Sequence, residues 1–398
     1  MVQLLSLAAS FLALAASSHV VYAEPEPQAG VVHTNHAFEG FGALGRLGLA
    51  LEAGVPPAHR RQKRHAVELE ERALNPKVRA VVNGAYTAVV AVGASYTDNG
   101  HARDAKYAGS LRDYYPYNKY GGKYTNGQVA VEYMVQSTLS PALKYQAGGI
   151  KLVDYAYGGS VIQNGLAGTS SSWPAAKDQV ATYLADLESG AAAVGAGRVL
   201  HYYNSGINPV VQIWLNAVNN GMSSAAQLTA KKAITSNTQA MAAAIRSVNT
   251  DATVAAKIKG QDFLIAGIPQ MDLVPTVGYQ VPGSVSAAKR AQAIKLMQTL
   301  SNQFNSEMAA FAGALKKEVK NGGRVFWFDM AALWKQLHSS PKSFGITVSP
   351  ATTSCYNSST GGVCSNPAAY LYWDTLHPTT SVHKLMAQKM NALVRGTA

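Results

Sequence analysis

Five consecutive apolar residues, Ala88-Val89-Val90-Ala91-Val92, stop at Gly93 and run into a polar, turn-prone stretch, Ala94-Ser95-Tyr96-Thr97-Asp98-Asn99-Gly100. An apolar run with no alternation fits a strand covered on both faces, as in a parallel sheet. Open α/β sheets place their ligands beyond the carboxyl ends of such strands, which is where Ser95 falls. Two readings of Ser95 stay open from this stretch. It is either a reactive hydroxyl whose own backbone N–H points at the same spot, or the cap of a turn or helix start.

The remainder of the chain repeats the alternation that such a strand demands. Apolar or β-branched runs recur at residues 85–92, 150–155, 198–203, 263–268 and 324–328. Helical patterns lie at 127–136, 175–187 and 225–248, then at 287–319, which is long enough to expect a break, and at 380–394 after Pro378. Five strands alternating with helices predict one three-layer α/β/α domain with a five-stranded parallel sheet, from about residue 80 to residue 398.

Composition narrows the class of partner. The chain of 398 residues carries a formal charge of +12, yet the excess is spread out and no nucleic-acid-reading motif accompanies it. Residues 4–16 form an apolar run too short to span a bilayer, followed by Val21-Tyr22-Ala23, so residues 1–23 read as a signal peptide despite lacking Lys or Arg at the start. Residues 24–64 read as a propeptide or linker ending in Arg60-Arg61-Gln62-Lys63-Arg64, a dibasic site or simply a solvated basic segment. Secretion agrees with Cys355 and Cys364, which enclose a short polar loop that a disulfide would pin, and with the sequon Asn357-Ser358-Ser359 inside it. The expected mature protein is a secreted monomer with no membrane span.

Chemistry is then sought at strand ends. The second strand leads into Tyr157-Gly158-Gly159-Ser160, a glycine pair that admits close backbone approach. The third leads into Asn204-Ser205-Gly206-Ile207-Asn208-Pro209, where Asn208 offers a short amide donor. Near the end stands Asp374-Thr375-Leu376-His377-Pro378. A carboxylate three residues before an imidazole on one turn can bind its Nδ1 and leave Nε2 as a base. Read blandly, these are two ordinary turns and a loop histidine bonded to its neighbour.

The set in this order resembles the GDSL-type (SGNH) hydrolases. Residues 93–100 are similar to the first block of that family, Gly159 falls at the second, Gly206-Ile207-Asn208 at the third and residues 374–378 at the last. Residues 123–127 with Glu132-Tyr133, residues 154–159 and residues 373–380 are similar to its fungal branch, which includes secreted acetylesterases of carbohydrate esterase family sixteen. The resemblance implies a flavodoxin-like SGNH fold, Ser95 as nucleophile, His377 as base and Asp374 as its orienting carboxylate. It also implies an oxyanion hole made of the N–H groups of Ser95 and Gly159 and the side chain of Asn208, with no metal or organic cofactor. No G-x-S-x-G elbow surrounds a plausible serine, which disfavours an α/β-hydrolase.

Two positions depart from the family pattern. Ala94 replaces an Asp expected to brace the nucleophile turn, and Pro209 replaces an Asp after Asn208, where it is expected to hold the Asn208 backbone extended. Tyr114, Tyr115, Tyr117 and Tyr120, with Tyr202 and Tyr203, are either sugar-stacking rings or core residues. The resulting expectation is an acetyl esterase acting on plant cell-wall carbohydrates. A catalytically impaired carbohydrate-binding relative and a short-chain lipid or aryl esterase are the alternatives.

Overall fold

β1 (Tyr86–Gly93) is buried at every residue and lies second in a five-stranded sheet, as its unbroken apolar run requires. The structure is a computed structural model and describes residues 86–100, 121–136, 149–195, 197–320 and 322–396. The signal-peptide, propeptide and Tyr114–Tyr120 expectations therefore fall outside the described residues. β1 is flanked by β2 (Lys151–Asp154) and β3 (Arg198–Asn204), and the order β2-β1-β3-β4-β5 is completed by β4 (Gly260–Ala266) and β5 (Val325–Phe328). All four pairings are parallel. This is the expected three-layer architecture, with each strand within two or three residues of its sequence reading. A two-stranded antiparallel ribbon, β6 (Tyr356–Asn357) with β7 (Gly362–Val363), spans the Cys355–Cys364 loop, and the two cysteines are joined as a disulfide.

The helices in chain order are α1 (Ala130–Met134), α2 (Ala176–Ser189), α3 (Ile207–Asn219), α4 (Ser224–Thr250), α5 (Ala252–Lys257), α6 (Pro275–Gln280), α7 (Ala287–Glu318), α8 (Met330–Ser339) and α9 (Thr380–Arg395). Their mutual contacts fall into two groups: α1 packs with α9, whereas α2, α3, α4 and α7 pack together. Right-handed crossovers in this strand order put the two groups on opposite faces of the sheet. The expected break in 287–319 does not occur. Leu296, Met297, Leu300, Phe304, Met308, Phe311 and Leu315 continue one buried stripe at helical spacing, and no proline interrupts it. The helix expected over 127–136 shrinks to α1 because the preceding backbone is committed elsewhere. Asn126 Oδ1 accepts the Thr380 N–H at 2.9 Å, and the Gln128 carbonyl accepts the Thr380 hydroxyl at 2.9 Å.

Tyr202 and Tyr203 are buried on β3, so they are core rings and not sugar platforms. Beside them His201 is fully buried and meets the Tyr183 hydroxyl at 2.9 Å through Nε2. Burial lowers its pKa to about 4 from an ordinary 6.5. A base whose folded pKa is depressed supports the fold above its unfolded pKa, and that support drains away as pH falls from about 6.5 towards 4, by about 3 kcal/mol at full extent. Urea midpoints measured between pH 7 and pH 4 should fall more steeply for the wild type than for His201→Gln, which keeps a polar partner for Tyr183 but cannot take a proton.

Candidate active site

The carboxyl end of β1 is held from the side before the reactive turn begins. Gly93 donates its N–H to Gln179 Oε1 and accepts from Gln179 Nε2, both at 3.0 Å, so one carboxamide from α2 closes a ring on the backbone of one residue. The same Nε2 reaches Ser160 Oγ at 3.1 Å and Pro174 O at 3.0 Å, and the Ser160 hydroxyl donates to Gly93 O at 3.1 Å. The loops after β1 and β2 are thereby locked together.

Ser95 stands in the turn that follows, which the Ala94 carbonyl closes by accepting the N–H groups of Thr97 and Asp98, both at 2.9 Å. Its hydroxyl does not cap that turn. It lies 2.8 Å from His377 Nε2, although the two residues are 282 apart in sequence. Behind the imidazole, Nδ1 lies 2.8 Å from Asp374 Oδ2, and Asp374 Oδ1 accepts the backbone N–H groups of Leu376 at 2.8 Å and His377 at 2.7 Å. Burial alone would raise the Asp374 pKa. The interaction with the His377 imidazole and these hydrogen bonds override it and hold the carboxyl below its ordinary range, so the group stays ionised. Tyr96, next to the serine, donates its hydroxyl to Leu376 O at 2.7 Å and so ties the serine turn to the histidine loop.

The turn is not left loose by Ala94, contrary to the expectation from the missing Asp. Asp98 Oδ2 accepts the Gly158 N–H at 2.6 Å and its Oδ1 the Gly100 N–H at 2.8 Å. Asp154, at the end of β2, accepts from Asn99 N at 3.1 Å and Ala156 N at 2.9 Å. Burial first, and Asp98 second, push the Asp154 pKa well up. The carboxyl groups of Asp98 and Asp154 thus brace the turn.

The glycine pair after β2 splits into two jobs. Gly159 has φ +81, a left-handed conformation that favours glycine, whereas a Cβ on Gly158 would stand 2.1 Å from Tyr124 Cε2. Asn208 lies in the first turn of α3, so Pro209 does not hold it extended. Proline is tolerated there because first-turn N–H groups have no helical acceptor. Asn208 Nδ2 donates to Ser160 O at 2.8 Å, which fixes the amide next to Gly159 and leaves its second N–H for another acceptor. Neither the Ser95 nor the Gly159 N–H has a protein acceptor among the described residues. Trp173 borders this corner, its Cδ1 3.4 Å from where a Gly159 Cβ would lie and its ring parallel to that of Tyr157. Among the described residues no group of three or more His, Cys, Asp or Glu is placed to hold a metal ion.

Residues 89–390 match the model of the GDSL-like lipase/acylhydrolase family. The chain belongs to this family. Two GDSL esterase/lipases of Arabidopsis thaliana are similar over shorter stretches, one 20% identical over 33% of this chain and the other 20% identical over 36% of it. The chain spans only 34% and 40% of the lengths of these relatives. An extracellular lipase of Streptomyces rimosus superimposes with a TM-score of 0.35 at 13% identity, covering 78% of this chain and 100% of the lipase.

In this GDSL-like chain Ser95 and Gly159 follow the carboxyl ends of β1 and β2, Asn208 lies in the first turn of α3 after β3, and Asp374 and His377 lie on the loop before α9, whereas Cys355, Asn357 and Cys364 lie in or next to the β6–β7 ribbon. Sequence reasoning missed Gln179, Asp98, Asp154, Tyr124 and Trp173. Asp98, Tyr124 and Asp154 fall inside the stretches that resemble the family, at 93–100, 123–127 and 154–159, and Gln179 left its trace as a polar residue on the apolar stripe of Ala176, Val180, Tyr183 and Leu187. Replacing Gln179 by Leu leaves the buried Gly93 N–H without its acceptor and takes one donor from a Gly93 carbonyl that keeps Ser160, and the expected cost is about 1–3 kcal/mol in urea unfolding.

Proposed function

We propose that the chain is a secreted serine esterase that removes small acyl groups, acetyl foremost, from plant cell-wall carbohydrates. The observation that carries this reading is the 2.8 Å contact between Ser95 Oγ and His377 Nε2, with Asp374 on the far side of the ring. In this reading His377 takes the hydroxyl proton as Ser95 attacks the ester carbonyl. Negative charge then gathers on the carbonyl oxygen, where the N–H groups of Ser95 and Gly159 and the Asn208 amide donate. Collapse expels the sugar alcohol, which takes the proton from His377 and leaves acyl-Ser95. Water, deprotonated by His377, attacks that ester in turn, and the acid departs as Ser95 recovers its proton.

Several features support the finer parts of the reading. A bulky indole against Gly159 suits a short acyl chain better than a long one. The Cys355–Cys364 disulfide agrees with an oxidising compartment, as does the apolar leader. Asn357 is exposed, as a glycosylated asparagine must be. The carbohydrate substrate rests on the blocks similar to fungal acetylesterases.

Purified protein should hydrolyse 4-nitrophenyl acetate faster than the butyrate, and Ser95→Ala should abolish both. Asn208→Ala should lower kcat by about 10²–10³-fold if its amide serves the oxyanion. Release of acetate from acetylated xylo-oligosaccharides tests the substrate class. Turnover that survives Ser95→Ala would sink the mechanism, and glycan binding without turnover would favour the impaired relative.

A further inference from the structure

The imidazole of His377 is gripped at both nitrogens, but two in-plane hydrogen bonds do not stop a ring from tilting. A flat partner covers its face. Tyr124 stacks on His377 with ring centroids 4.9 Å apart and planes 25° apart, within the range of a stacked aromatic pair. The other side of the site also contains this ring, since Tyr124 occupies the space above Gly158 that any side chain at that position would fill. One aromatic ring therefore touches both the candidate base and the loop that carries Gly159.

Tyr124 is itself held by a strap fastened to the residues just after His377. Thr125 Oγ1 donates to Pro378 O at 2.9 Å, and Asn126 and Gln128 both bind Thr380. Gly127 lies so close to Thr380 that an added Cβ would come within 2.8 Å of its hydroxyl. Tyr124 also packs against the small cluster of Trp373 and Cys355, the latter one half of the Cys355–Cys364 disulfide. The strap before α1 and the histidine loop before α9 thus form one unit, with the Tyr124 ring pressed onto the imidazole.

We propose that Tyr124 is the positioning residue for His377: its ring face keeps the imidazole in the plane that joins Asp374 to Ser95, and shields that face from water. The inference rests on reading Ser95 and His377 as the catalytic pair. Loss of the ring face would let Nε2 drift from Ser95, and misplacement of a reacting group by about 1 Å costs on the order of 10²-fold in rate. A role confined to packing would be filled by any side chain of similar bulk, so the discriminating variants are Tyr124→Leu, which keeps bulk but no flat face, and Tyr124→Phe, which keeps the face but no hydroxyl.

The test pairs kinetics with a signal that needs no turnover. With 4-nitrophenyl acetate, Tyr124→Leu should lower kcat about 10²-fold with KM within about threefold, while Tyr124→Phe should stay within about threefold of wild type in both. In ¹⁵N-histidine-labelled protein, the downfield Nδ1 proton of His377 on Asp374 should be resolved in wild type and in Tyr124→Phe. It should vanish by exchange with water in Tyr124→Leu, while the rest of the spectrum stays dispersed. Should Tyr124→Leu not fold, Tyr124→Met is read in its place. A retained resonance together with retained kcat in the aliphatic variant would overturn the proposal, as would equal damage by Tyr124→Phe. If wild type shows no Ser95-dependent turnover yet the resonance responds to Tyr124→Leu, the esterase reading fails and the positioning role stands.

Discussion

The peptide at Gly93 is where sheet geometry is converted into site geometry. The strand must end there without fraying, because Ser95 stands only two residues on, in the turn closed by the Ala94 carbonyl. Gln179 achieves this by presenting a carboxamide that mimics another peptide, donating and accepting across the last residue of β1. Its reach to Ser160 makes the end of β1 and the loop after β2 one rigid piece, and Asn208 attaches α3 to the same loop through Ser160 O. Three segments separated widely in sequence thus share one hydrogen-bonded frame.

The histidine loop is anchored independently of that frame. Thr276 donates its N–H to Thr375 O at 2.8 Å and Trp373 its N–H to His377 O at 2.7 Å, so the loop is tied to α6 and closed on itself. Tyr96 then joins loop to frame. Asp374 completes the arrangement by accepting two backbone N–H groups besides the imidazole. Its charge is thus compensated locally by three N–H groups.

What was legible in the sequence was local or repetitive. The strands showed because burial on both faces removes alternation, and Asp374 with His377 showed because three residues suffice to bring them together. The parts that stayed hidden depend on contacts across the chain. Tyr124 lies on a segment whose hydrogen bonds run to residues 378–380, and no periodicity records that. The bracing by Asp98 and Asp154 stayed hidden because it runs to the N–H groups of Asn99, Gly100, Ala156 and Gly158, which the fold alone brings together. Pro209 misled for a physical reason: the bias of a pre-proline residue against the helical region yields to the first turn of α3, where the neighbouring loops already define the backbone. Tyr202 and Tyr203 were ambiguous between ring platform and core until their strand proved to be central in the sheet.

The 282-residue separation between Ser95 and His377 has a consequence in time as well as in space. A chain is made from its amino end, and domains assemble as their parts emerge. The serine turn, its Gln179 clamp and the donors after β2 and β3 are all present long before the imidazole exists. Until α9 docks beside α1 and brings its preceding loop down onto Tyr124, the Ser95 hydroxyl lacks its His377 partner. Under the proposed mechanism nucleophilicity is thus conferred last, by the closing step of assembly, and a carboxyl-clipped chain lacks the base that mechanism requires even where its sheet is complete.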